Sequence, residues 1–159
     1  MYHNEHEIMN AVYSHFCTLA DESGHIPINL RAPQLVGTVQ DDPFDSLIVE
    51  QIESSFPDLE VYSSGSLTTP DLVIRDRKTG AIVGLEVKKL IQKPNGSDSR
   101  GLTMDYNSCL PCGTALIKVG EETVDIPCYY LFALLSTDSK RIVTLIVMHG
   151  GFINYDFNL

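Results

Sequence analysis

The stretch from Asp71 to Leu90 constrains this chain more than any other. Two apolar runs, DLVIRD over 71–76 and AIVGLEVKKL over 81–90, flank the turn signal Arg77-Lys78-Thr79-Gly80. Short runs rich in Val, Ile and Leu on either side of a glycine-bearing turn read as adjacent antiparallel strands. Their apolar residues would bury both strands, yet the same strands carry Asp71, Glu86 and Lys88. A buried charge is costly unless it is paired or bound to metal, so this placement asks for a chemical reason.

Around the hairpin the pattern divides into helical and extended parts. Ile8, Val12, Tyr13, Phe16, Leu19 and Ala20 fall on one face of a helix over 6–20, and Gly24 is a natural stop for it. Residues 25–42 contain Pro27, Pro33 and Gly37 and read as an irregular connection. Asp41 and Asp42 followed by Pro43 predict a second helix, with an N-cap and a proline in its first turn. Phe44, Leu47, Ile48, Gln51, Ile52 and Ser55 carry its spacing to Phe56-Pro57. Leu59–Ser63 then predicts a first strand. Beyond the hairpin, 92–113 has no apolar periodicity and is rich in Gly, Ser, Asn and Pro; so long a loop is uncommon in a compact domain unless it is functional or mobile. Strands are predicted over 126–135 and 142–148, and Gly150-Gly151-Phe152 reads on into an extended tail. The chain stops at Leu159 without a closing signal. The expectation is an α/β fold with a central mixed sheet flanked by helices. An N-terminal helical segment would occupy 1–40, and a core over 41–159 would be cut short at its C-terminus.

A length of 159 residues suits one domain, with 43% apolar and 20% charged residues. That balance excludes a disordered chain, a collagen-like chain and a coiled coil. No apolar run approaches the roughly 18–20 residues of a membrane helix. The opening MYHNEHEIMN lacks the basic and apolar regions of a secretion signal, so a soluble, cytoplasmic domain with no membrane partner is expected. Cys17, Cys109, Cys112 and Cys128 are too scattered for a disulfide framework. Cys109-Leu-Pro-Cys112 has the spacing of a zinc or redox pair, but no second pair completes a zinc site. Ordinary reduced thiols are its simplest reading. The net charge is −10, and an evenly acidic surface would repel nucleic acid. The charge is uneven, however. Between Arg75 and Arg100 the stretch is +4, leaving −14 for the remainder.

Residues i and i+2 of a strand share a face, so Glu86 and Lys88 project together. A hairpin brings Asp71 beside Glu86. Two converging carboxylates make a hard-oxygen site suited to Mg²⁺, which takes one or two carboxylates and fills its shell with water and phosphate oxygens.

The pattern Pro70-Asp71…Glu86-Val87-Lys88, set on two adjacent strands behind an acidic helix, resembles the PD-(D/E)xK nucleases over roughly residues 42–148. The resemblance implies a restriction endonuclease-like αβββαβ core. It implies Mg²⁺, replaceable by Mn²⁺, held by Asp71, Glu86 and the Val87 carbonyl. Lys88 would orient or help deprotonate the attacking water, and a helix carboxylate would assist; Glu50 and Glu53 are both available, with Glu50 preferred. The segment 93–108 looks like a recognition loop of type II restriction endonucleases, with Lys93 and Arg100 as DNA contacts and Asn95 and Asn107 as turn formers. Arg75 and Lys89 are further candidate DNA contacts, although Lys89 should point away from Lys88, which favours a solvent- or helix-facing charge for it.

The expected activity is therefore site-specific, Mg²⁺-dependent hydrolysis of double-stranded DNA by a homodimer, leaving 5′-phosphate and 3′-hydroxyl ends. A structure-specific or repair nuclease of the same fold, a DNA- or protein-binding module with an inactive core, and a zinc or redox protein built on Cys109 and Cys112 are the alternatives. A buried ion-pair network in a non-catalytic sheet would also account for Asp71, Glu86 and Lys88.

Overall fold

The computed structural model describes residues 1–63, 70–95 and 114–153. Helix α1 (Glu5–Thr18) begins at Asn4, whose side chain accepts from the Glu7 N–H at 2.9 Å, while Glu7 accepts from the His3 N–H at 2.8 Å. These side chains satisfy donors that a helix N-terminus leaves open. The helix buries Ile8, Met9, Val12 and Phe16; Tyr13 and Leu19 of the expected face are exposed. It ends at Thr18, six residues before Gly24, which takes a positive φ in the following turn.

The stretch read as irregular contains three two-residue strands: β1 (Ile26–Pro27), β2 (Leu35–Val36) and β3 (Val39–Gln40). The last two form a separate exposed hairpin. Helix α2 (Pro43–Ser55) starts as its sequence predicts, with Asp42 accepting from the Phe44 N–H at 2.9 Å and Pro43 in the first turn. Phe44, Ile48 and Ile52 are its buried stripe.

Strands β4 (Leu59–Ser63), β5 (Leu72–Asp76) and β6 (Ile82–Ile91) form an antiparallel meander. The β5–β6 turn is fixed by Asp76, which is fully buried. Its carboxylate accepts from the N–H groups of Tyr2, Lys78 and Thr79. Burial pulls this carboxyl upward, but the three backbone donors outweigh it and hold it below the usual carboxylate range. Two longer strands follow β7 (Thr114–Val119): β8 (Glu122–Leu135) and β9 (Arg141–His149). The first half of β8 pairs with β7, while its second half lies parallel to β6 on one side and antiparallel to β9 on the other. The sheet order is β1-β9-β8-β6-β5-β4, with β7 attached to β8. The chain is thus a mixed α/β fold whose mixed sheet is flanked by helices.

The two sheet faces differ. Leu72, Ile74, Val83, Leu85, Leu131, Ala133 and Leu135 turn toward α1 and α2 and form the main core with their buried stripes. Val73, Cys128, Tyr130 and Ile126 face the other way, packed with Ala115 of β7. After His149 the chain makes the short helix α3 (Gly150–Ile153) where an extended tail was expected; the His149 ring accepts the Gly151 N–H at 3.0 Å and caps that turn. Among the described residues, no helix is long and apolar enough to cross a membrane.

Candidate functional site

The β5–β6 ladder stops at Leu72 opposite Leu85, but β6 continues beside β8 as far as Ile91. Residues 87–91 therefore project past β5 and leave a step in the sheet. Asp71 stands at this step, directly before β5, and continuing the register sets it opposite Glu86. Opposed residues of an antiparallel pair share a face. Asp71 Oδ2 accepts the Val87 N–H at 2.8 Å. An extended residue turns its N–H and C=O to the same side, so the Val87 carbonyl also faces the step. Lys88 Nζ lies 3.9 Å from Glu86 Oε1, with the Lys88 side chain 17% exposed. Asp71, Glu86, Lys88 and the Val87 backbone are thus gathered in one place.

The electrostatics are those of crowded carboxyls. Glu86 is pushed up to about 8, first by burial, then by the Asp71 charge and by a hydrogen bond with the Asp71 side chain; Lys88 opposes too weakly to prevent it. Glu86 Oε2 is buried and makes no hydrogen bond among the described residues. Like-charged neighbours and an unsatisfied buried oxygen are relieved by a cation, and two carboxylates with a main-chain carbonyl fit a hard divalent ion. Among the described residues, no group of three or more His, Cys, Asp or Glu side chains is placed to hold a metal. Any ion here would complete its shell with water or phosphate oxygens.

The helix carboxylate near the site is Asp45, in place of Glu50 or Glu53. Asp45 is pushed up to about 7, first by burial and then by the charges of Asp42 and Asp71, with Lys89 opposing. Glu50 and Glu53 are exposed, and Glu50 acts electrostatically on Arg31. The reason is helical phase: Asp45 lies three residues before Ile48 and seven before Ile52, on the stripe that faces the sheet, whereas Glu50 is about half a turn away. An acidic residue in register with a buried stripe was the sequence signal that could have identified it.

The expected DNA contacts are placed differently. Arg75 pairs with Glu60 at 3.1 Å, and Arg77 reaches the same carboxylate at 3.4 Å. Lys78 pairs with Asp58 at 2.9 Å. Lys89 turns toward α2 and donates to Asp42 at 2.7 Å, which ties the helix N-terminus to β6. Arg75 and Lys89 therefore hold carboxylates of neighbouring elements in this structure. Lys93 and Asn95 are exposed, while Arg100, Asn107, Cys109 and Cys112 lie outside the described residues. Cys17 is exposed and Cys128 is buried.

Beyond Lys88 the same face carries a groove of about 360 Å³, walled mainly by Leu90, Phe132, Leu134, Ile146 and Met148. Compared with protein-family models, curated proteins and solved structures, the chain matches none.

Proposed function

We propose that the chain is a Mg²⁺-dependent endonuclease that hydrolyses phosphodiester bonds of double-stranded DNA, of the type II restriction kind, acting as a homodimer on a defined site. The observation that carries this reading is the convergence of Asp71, Glu86 and Lys88 at the β6 step, with Glu86 Oε2 making no hydrogen bond among the described residues. The order α2, β4, β5, β6, followed after β7 by β8 lying parallel to β6, is the part of the topology that supports a restriction endonuclease-like core.

In this reading Asp71, Glu86 and the Val87 carbonyl hold the ion, and Asp45 assists from α2. The ion, Mg²⁺ or Mn²⁺, supplies charge neutralisation at the phosphate and a more acidic water. The Val87 N–H fixes Asp71, so that this carboxylate keeps one orientation when substrate arrives. Lys88 Nζ holds the attacking water in line with the phosphorus and balances charge as the phosphoryl group becomes pentavalent. The water oxygen bonds to phosphorus and gives up a proton to solvent, the bond to the 3′-oxygen breaks, and that oxygen takes a proton from solvent, so no net proton is lost in the cleavage itself. The products carry 5′-phosphate and 3′-hydroxyl ends.

The test is cleavage of bacteriophage DNA at low salt with and without Mg²⁺. Discrete bands that require the ion and disappear in Glu86→Ala and Lys88→Ala support the proposal. Bands that persist in both variants would remove these residues from the reaction. Absence of cutting by the wild type, with DNA bound, would replace the enzyme with a binding module.

A further inference from the structure

We propose that Gly84 sets the position of the Asp71 carboxylate, acting through the ring of Pro70. Glycine is unfavourable inside a strand, because it adds no packing and loses the most backbone freedom. Gly84 is nevertheless inside the paired part of β6, opposite Val73, and buried. Its backbone does not require glycine: the positive φ values among the described glycines fall at 24, 37, 80 and 120. Space requires it. A Cβ at position 84 would lie 2.8 Å from Pro70 Cγ, 3.3 Å from Pro70 Cβ and 3.3 Å from Ile126 Cδ1.

Pro70 is buried and cannot yield as a long flexible side chain would, because its ring is bonded back to its own backbone nitrogen. A push on this ring is transmitted through one peptide bond to Asp71. Asp71 has little slack, since its Oδ2 is held 2.8 Å from the Val87 N–H and its side chain bonds Glu86. The missing side chain two residues before Glu86 therefore allows the Pro70-Asp71 turn to close against β6. Gly84 is a positioning residue, and Pro70 is the part through which it acts. The link to metal holding rests on the nuclease reading; the placement of Asp71 against Val87 does not.

The experiment compares wild type, Gly84→Ala, Pro70→Ala and the double variant. The Val87 amide proton shift in metal-free protein reports the Asp71 hydrogen bond, and calorimetric titration with Mg²⁺ reports the site. Gly84→Ala is expected to move the Val87 amide upfield and to weaken Mg²⁺ binding by about 10- to 100-fold, the usual effect of disturbing a ligand's support. Pro70→Ala removes Cγ, so the double variant should match Pro70→Ala in both measurements. An unmoved Val87 amide in Gly84→Ala, or a loss that Pro70→Ala leaves unrescued, overturns the inference. If Gly84→Ala does not fold, the double variant is compared with Pro70→Ala: a matching Val87 shift supports the inference and a differing one overturns it. Wild type that binds no Mg²⁺ defeats the metal-site reading alone, because the amide shift still decides the role of Gly84.

Discussion

Glu86 is 4% exposed and carries its carboxyl beside that of Asp71, and the consequence for stability has a definite sign. Its folded value, about 8, lies above the ordinary 4.5. Between those values the folded chain keeps a proton that the unfolded chain gives up, so metal-free stability falls as pH rises through that window. One unit corresponds to about 1.4 kcal/mol, which bounds the loss at about 5 kcal/mol; water reaching the step should bring it nearer 2 kcal/mol. Asp45 acts with the same sign, between 3.8 and about 7. Glu86→Gln keeps the shape and a donor to Asp71 while removing the titration. Urea denaturation without metal should find this variant close to wild type at pH 5 and about 2 kcal/mol more stable at pH 8.5. Mg²⁺ should raise the stability of wild type at pH 8.5 and have little effect on the variant. A wild type equally stable at both pH values would mean that Glu86 is not held protonated.

At the scale of elements, α2 is positioned by one residue with two tasks. Asp42 caps the helix through the Phe44 N–H and also receives Lys89 from β6. Asp42→Ala loses both and should cost about 1–2 kcal/mol, the range for an N-cap with a partner. Asp42→Ser keeps a cap and loses only the ion pair, so it should cost no more than about 0.5–1 kcal/mol, since half-exposed pairs contribute little. Chemical denaturation of the two variants separates the tasks; equal losses would assign the whole effect to Lys89. The start of this helix was legible because Asp42-Pro43 carries its own capping chemistry. The boundaries of β4 were legible too, as Leu59–Ser63 is enclosed by Pro57 and a polar stretch. Pairing that depends on distant chain was not. Two-residue β1 has no pattern, and it is a strand only because Arg141 and Ile142 lie beside it. Strand β7 exists through β8, whose first half carries Glu122, Thr123 and Asp125 and so conceals a hairpin from any apolar count. At the site, Asp71, Glu86 and Lys88 follow from strand alternation and a turn. Asp45 stands outside the expectation from sequence, which names only Glu50 and Glu53 on this helix.

In the proposed nuclease reading, the charge of the whole molecule decides how it would hold DNA. The net charge is −10, and the described cations of the basic stretch are largely engaged. Arg75 and Arg77 share Glu60, Lys78 is bound to Asp58, Lys89 to Asp42, and Lys88 lies near Glu86. In sequence these residues form a basic island; in the fold, Glu60 of β4, Asp58 just before it and the α2 cap Asp42 offset much of it. Each phosphate neutralised by a cation contributes about 0.9 to the slope of log affinity against log salt. Binding to a duplex, measured in Ca²⁺ to prevent cutting, should therefore give a shallow slope of about 1–3. Freeing the cations should steepen it. Glu60→Gln leaves Arg75 and Arg77 without their shared partner, so it should raise duplex affinity several-fold at low salt and add about 1–2 to the slope. It lies on β4, outside the Asp71–Glu86–Lys88 group, and should leave the Mg²⁺ requirement unchanged. A wild-type slope of about 6 or more would mean that these ion pairs open when DNA binds and that the basic island acts as a phosphate clamp after all.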